Sequence, residues 1–165
     1  TLPNIKGSEE EPVFVMAHLM FPHHPYIYDS EGNPVEAEKE WKDKEAYLEQ
    51  LQYANTKILE VVDKTLENST REPVIIIMSD HGFRPGIDWK NPSDENYRAG
   101  FNNLGAYYLP NQMDDLPETI SGANVFRIVF NSYLGTEYEM LEDKHFWFDP
   151  DMPFIYTDVA DKIPK

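Results

Sequence analysis

The chain contains no cysteine. Disulfides, thiolate nucleophiles and cysteine-type zinc sites are therefore excluded. Cationic residues are scarce, with 14 Lys and Arg against 30 Asp and Glu and a formal net charge of −16. A binder of the phosphate backbone needs a basic face, so the balance argues against nucleic acid as a partner. The same balance argues against attachment to anionic lipid. An anionic substrate would need a local cation to offset this field, a task suited to a bound metal. The plainer reading of most of the carboxylates is a solvated, solubilising surface. Long apolar runs are also missing, and no stretch is suited to cross a bilayer. No internal repeat or low-complexity segment occurs.

What is present points to a globular chain. Its 165 residues are 41% hydrophobic and 13% aromatic, which suits a single domain over 1–165 with a sizeable core. The first residue is Thr1, and a strand follows a polar lead-in over 1–12. The chain is expected to be a piece of a longer protein, with any anchor or targeting segment in the remainder. Val13 to Leu19 reads as a buried strand, followed by a Pro-rich loop from Phe21 to Pro34 with turn chemistry at "SEGNP". Trp41, Leu48, Leu51, Asn55, Ile58, Leu59, Val62 and Leu66 recur at roughly 3.6-residue spacing and predict a helix over 36–67. Val74 to Met78 reads as a strand buried on both faces. Strand, helix and strand in succession predict a βαβ unit with parallel pairing.

Residues 82–104 read as a long loop and Gly105 to Leu109 as a short strand. Ser121 or Asn124 is placed to cap a helix over Val125 to Tyr133, stopped by Gly135. An aromatic tail fills 138–165. The expected fold class is α/β, a largely parallel sheet with flanking helices.

In a parallel sheet, ligands gather beyond the carboxyl ends of the strands. The first expected strand runs into His18, His23 and His24, and the second into Asp80 and His81, so four of the five histidines would share one edge. Asp80 and His81 supply the oxygen and nitrogen ligands that suit Zn or Mn, and Gly82 permits a sharp exit. A capping Asp beside a surface His is the competing reading. His23 and His24 sit in a proline-stiffened loop, where one imidazole can donate to an anionic oxygen or both can be ordinary loop residues. His18 reads as a satisfied core histidine, with substrate contact as its functional alternative. Arg84 follows the Asp-His-Gly turn and suits either an anionic group or a carboxylate partner, and Lys90 is in the same position. His145, among aromatics, reads as structural. Asn68-Ser69-Thr70 fits a glycosylation acceptor triplet, a pattern common by chance.

"HLMFPHHPYIYDSEG" followed by "IIIMSDHG", and later by "GAYYLPN" and "ANVFRIVFNSYLG", resembles the sulfatase-like branch of the alkaline phosphatase superfamily, in particular its membrane-associated group related to lipoteichoic acid synthases. The likeness runs over about residues 13 to 145 and corresponds to the C-terminal part of the catalytic domain, a partial alkaline-phosphatase-like fold. It implies that Asp80 and His81 bind a divalent metal (Zn, Mn, Mg or Ca) and that His23 is the catalytic, substrate-contacting histidine. His24 takes the motif's variable position. His24, Arg84 and His18 are further substrate-contact candidates.

The family's early acidic ligand and its hydroxyl or formylglycine nucleophile precede the histidine loop, and this chain has no counterpart for them. The expectation is thus half a metal site, within a parent that hydrolyses sulfate or phosphate esters, while the chain alone is inactive. Alternatives are part of a membrane-anchored phosphoglycerol or phosphoethanolamine transferase, with its catalytic domain outside the cytoplasm, and a non-catalytic module that keeps the fold. The expected partners are an anionic ester substrate, the missing N-terminal half of the domain, and a second copy through an exposed sheet edge.

Overall fold

Asp43 sets the start of the longest element. Its carboxylate accepts from the Ala46 N–H at 3.0 Å, capping helix α1, Lys44–Asn68. Glu45 in the first turn favours the positive end of the helix dipole. The computed structural model describes residues 2–5, 7–8, 11–35, 39–111, 116–117 and 119–163. They form two units, Thr1–Pro73 and Val74–Lys165. The helix expected from residue 36 thus begins at Lys44, and residues 36–38 lie outside the described residues.

In the first unit the buried face of α1 is Ala46, Gln50 and Ala54, one turn apart along the helix. This corrects the expected apolar stripe, since Leu48 and Leu59 are exposed and Leu51, Ile58 and Val62 only half-buried. The reason lies in what packs there. The backbone of the Pro-rich loop lies against the helix, so small residues and one hydrogen-bonding side chain suit that face better than leucines. Phe21–Pro22 and His24–Pro25 are cis. Tyr26 is buried and its hydroxyl donates to the Trp41 carbonyl at 2.7 Å.

Val13 to Leu19 forms no ladder among the described residues, and Phe14 is 83% and Met16 79% exposed. The expected buried first strand is therefore absent.

The second unit opens with strand β1, Ile75–Met78, which pairs with β2, Gly105–Tyr108. The pairing is antiparallel, with Ile75 opposite Tyr108 and Met78 opposite Gly105. Between them the expected long loop contains helix α2, Asp94–Phe101. Ser93 and Asn96 form a reciprocal capping box at its start. Helix α3, Gly122–Leu134, is capped by Ser121 and ends at Gly135, whose φ of 67° is the left-handed conformation glycine favours. Strands β3, Phe146–Phe148, and β4, Tyr156–Asp158, form an antiparallel ribbon.

The described residues thus carry three α-helices and two antiparallel two-stranded sheets. The expected largely parallel sheet with flanking helices, and the alkaline-phosphatase-like architecture it implied, are overturned. A βαβ unit needs its first strand, and 13–19 is unpaired. The strand that does pair with β1 runs back along it.

The core of this unit gathers Leu109, Val125, Trp147 and Val159. Trp147 stacks on Trp89 at 4.7 Å between ring centroids and meets Tyr97 edge-on at 4.9 Å. Its indole N–H donates to the Trp89 carbonyl at 3.0 Å. Gly100 lets α2 close on this indole, because a Cβ there would stand 2.6 Å from the Trp147 ring. Buried Asn124 holds the segment after α3, donating to the Leu141 carbonyl and accepting from the Leu141 N–H, both at 2.9 Å.

Candidate metal half-site and histidine loop

The Asp-His-Gly turn is built on the end of the β1–β2 ladder. The Ser79 N–H donates to the Leu104 carbonyl at 3.0 Å, and the Ser79 hydroxyl accepts from the Leu104 N–H at 2.8 Å. The Asn103 side chain donates to the Ser79 carbonyl at 3.2 Å. Gly82 passes so close to the Asn102 carbonyl that a Cβ would overlap it. The chain therefore leaves β1 in a fixed direction, with glycine where the backbones meet.

That frame orients two side chains. One oxygen of Asp80, Oδ1, accepts from the His81 N–H at 3.0 Å. His81 Nδ1 lies 2.7 Å from the Gly82 carbonyl oxygen. A carbonyl only accepts, so Nδ1 carries the proton and the neutral ring keeps its lone pair on Nε2. Nε2 in turn stands 3.6 Å from Asp80 Oδ2. Two ligands each about 2.1 Å from a tetrahedral ion stand about 3.4 Å apart. Asp80 and His81 therefore fit a shared divalent cation as two donors, with the Gly82 carbonyl as the outer partner that fixes the imidazole. The Asp80 side chain is 89% exposed, so the carboxylate is open to an incoming ion. No group of three or more His, Asp or Glu suited to a metal occurs among the described residues, so Asp80 and His81 stand without a third such donor.

The histidine loop belongs to the first unit. Gln50, fully buried, is its clamp. Its Oε1 accepts from the N–H groups of Ile27 at 2.8 Å and Tyr28 at 3.3 Å. Its Nε2 donates toward the carbonyls of Pro22 at 3.2 Å and His23 at 3.1 Å, with that of Pro25 at 3.4 Å. His24 is half-buried, with Nε2 2.9 Å from the Lys39 carbonyl and its ring edge-on to Tyr26 at 5.4 Å. It serves the loop. His23 is exposed, and its Nδ1 donates to the His24 carbonyl. Its other nitrogen donates to an oxyanion only in the imidazolium form. His18 is exposed rather than a core histidine. Among the described residues no parallel sheet occurs, so the common edge expected to join the histidines with Asp80 is not formed.

Arg84 sits over the Trp89 indole, its guanidinium carbon 5.5 Å from the ring centroid. Lys90 pairs with Asp151 at 2.6 Å, a surface contact. His145 meets Phe101 edge-on at 5.1 Å, which suits its structural reading.

Sequence reasoning passed over Gln50, Ser79 and Asn103. A glutamine flanked four residues either way by alanine was a usable signal for the first. The other two act through pairing that only the fold reveals.

No family model and no solved structure matches the chain. An isoleucine–tRNA ligase from Gloeothece citriformis (strain PCC 7424) is 32% identical over 109 residues, 61% of this chain. The chain spans 11% of that protein's length.

Proposed function

We propose that this chain contributes half of the metal site of a sulfatase-like hydrolase acting on sulfate or phosphate esters. Asp80 and His81 are the metal ligands, and His23 is the histidine that contacts substrate. The observation that carries the reading is the 3.6 Å approach of Asp80 Oδ2 and His81 Nε2, with His81 Nδ1 committed to the Gly82 carbonyl. The motif order from the histidine loop to "SDHG" supports it. A bound divalent cation would offset negative charge on an ester oxygen and on the acidic chain around it. Ser79, Asn103 and Gly82 hold the turn, Gly82 orients the His81 ring, and Gln50 holds the loop that carries His23.

A tRNA-handling role, suggested by the likeness to the ligase, would require a chain of net charge −16 to bind a polyanion. The ester reading rests instead on the Asp80–His81 pair and the motif order.

Calorimetric titration of Zn²⁺ and Mn²⁺ into the chain tests the proposal. One saturable site is expected, with Asp80→Ala and His81→Ala each at least about tenfold weaker, since even an outer-partner change costs that much. Equal binding by the three proteins would sink the assignment.

A further inference from the structure

Arg84 is out of keeping with its surroundings. The chain has 30 acidic side chains, yet among the described residues Arg84 pairs with none of them. Its Nε is buried and has no hydrogen-bond partner. A buried donor left without an acceptor is destabilising, and such groups often mark the place of an unseen ion or ligand.

The residue is also held in place. The guanidinium lies over Trp89, and Trp89 stacks on Trp147, which is only 7% exposed. The Trp147 indole N–H then fixes the Trp89 backbone at 3.0 Å. A planar guanidinium pinned by one face keeps its edge, and so its donor fork, in a set direction. Lysine would gain neither the stacking nor the fork.

We propose that Arg84 is an oxoanion-binding residue, taking a tetrahedral phosphate or sulfate group, free or as a monoester, on its clamped guanidinium edge. Three observations meet here: the orphan Nε, the indole clamp, and the missing carboxylate partner in an acid-rich chain. Anion oxygens supply the acceptor that the protein withholds. Reaching Nε takes a shift of the loop after the Asp-His-Gly turn. Gly86 in that loop has a φ of 89°, and a Cβ there would meet nothing within 4 Å. The inference does not depend on the metal reading, because a guanidinium binds an oxoanion without a cation present.

The test is a titration of inorganic phosphate, inorganic sulfate and glycerol phosphate into the full chain under chelator, read by tryptophan fluorescence. Trp89 lies directly against the responding group. A saturable response is expected, weakened about tenfold or more in Arg84→Gln, as for loss of a charged hydrogen bond. Trp89→Leu, followed by phosphate-dependent amide shifts, should weaken binding without abolishing it. Lys90→Gln removes a neighbouring cation and should leave the response unchanged. The chelator separates this site from the metal site. A preference among the three ligands tells a free anion from an ester. No saturable response in the native chain, an unchanged response in Arg84→Gln, or an equal loss in Lys90→Gln would each overturn the proposal.

Discussion

Replacing Gln50 with leucine keeps the volume of a fully buried side chain but removes every polar contact it makes. The Ile27 and Tyr28 N–H groups lose their acceptor at 2.8 and 3.3 Å. The amide nitrogen has only two hydrogens for three carbonyls, so the approaches at 3.1 and 3.2 Å are the bonds to count and the one at 3.4 Å shares them. Each buried group left unpaired costs roughly 1–3 kcal/mol. The loop is at the surface, with Ile27 46% exposed, so water recovers part of that. The substitution should destabilise the first unit by about 3 kcal/mol, against a typical domain total of about 5–15 kcal/mol.

Amide hydrogen exchange of Ile27 and Tyr28, with urea unfolding, reads this directly. Both amides should lose protection while those in the middle of α1 change less. Gln50→Glu sharpens the test. A carboxylate facing carbonyls in a buried place has its pKa raised. That variant should be most stable below the carboxyl's ordinary pKa and lose stability as pH rises through the raised one. A Gln50→Leu chain within about 0.5 kcal/mol of the native one, with Ile27 and Tyr28 exchanging as before, would refute the clamp.

Three further outcomes follow from the geometry. Asp29 titrates below the ordinary aspartate range, chiefly because the Asn33 side chain and then its backbone N–H donate to it, with the Glu31 and Gly32 N–H groups also contributing. What this carboxylate adds to stability is present above its ordinary pKa and lost as pH falls through the lowered one, and carbon-detected titration of Asn33→Ala should find Asp29 moved back up. Gly82→Ala forces a Cβ onto the Asn102 carbonyl and should cost about 1–3 kcal/mol in urea unfolding followed by tryptophan fluorescence, with metal binding weakened alongside. Metal-loaded chain should show no turnover of aryl sulfate or phosphate esters, because the described residues gather no third ligand of the His, Asp or Glu type beside Asp80 and His81.

Local chemistry was legible in the sequence wherever a residue acts on its near neighbours. Gly135 marked the end of α3 and Ser121, one of two candidate caps, its start, though the helix begins at Gly122 rather than Val125. The isoleucine run marked β1, which is half-buried with Met78 exposed rather than buried on both faces. The capping box at Ser93 was just as local, yet the surrounding Pro and Gly made 82–104 read as loop and hid α2. Longer-range pairing was not legible. The apolar run at 13–19 has the composition of a buried strand, but only a neighbour can make it one, and among the described residues it has no ladder. With that strand gone, the parallel sheet inferred from strand–helix–strand order went too. The periodic leucines of α1 misled for a related reason. They report an apolar face, whereas the described burial follows Ala46, Gln50 and Ala54, where a loop backbone needs closeness and hydrogen bonds.

At the site, "SDHG" pointed to Asp80 and His81 as a pair. Their shared direction depends on Ser79, Asn103 and the Gly82 approach, which belong to the β1–β2 register.

The protonation state of His81 tests the central claim most directly, since a metal ligand must offer a lone pair toward Asp80. Long-range ¹H–¹⁵N correlation of the imidazole at a pH where the ring is neutral should show the proton on Nδ1, bonded to the Gly82 carbonyl, and Nε2 bare. Added Zn²⁺ should then shift Nε2 in the native chain, and about tenfold more Zn²⁺ or more should be needed for the same shift in Asp80→Ala. A proton on Nε2, or an Nε2 resonance indifferent to Zn²⁺ in the native chain, would contradict the half-site.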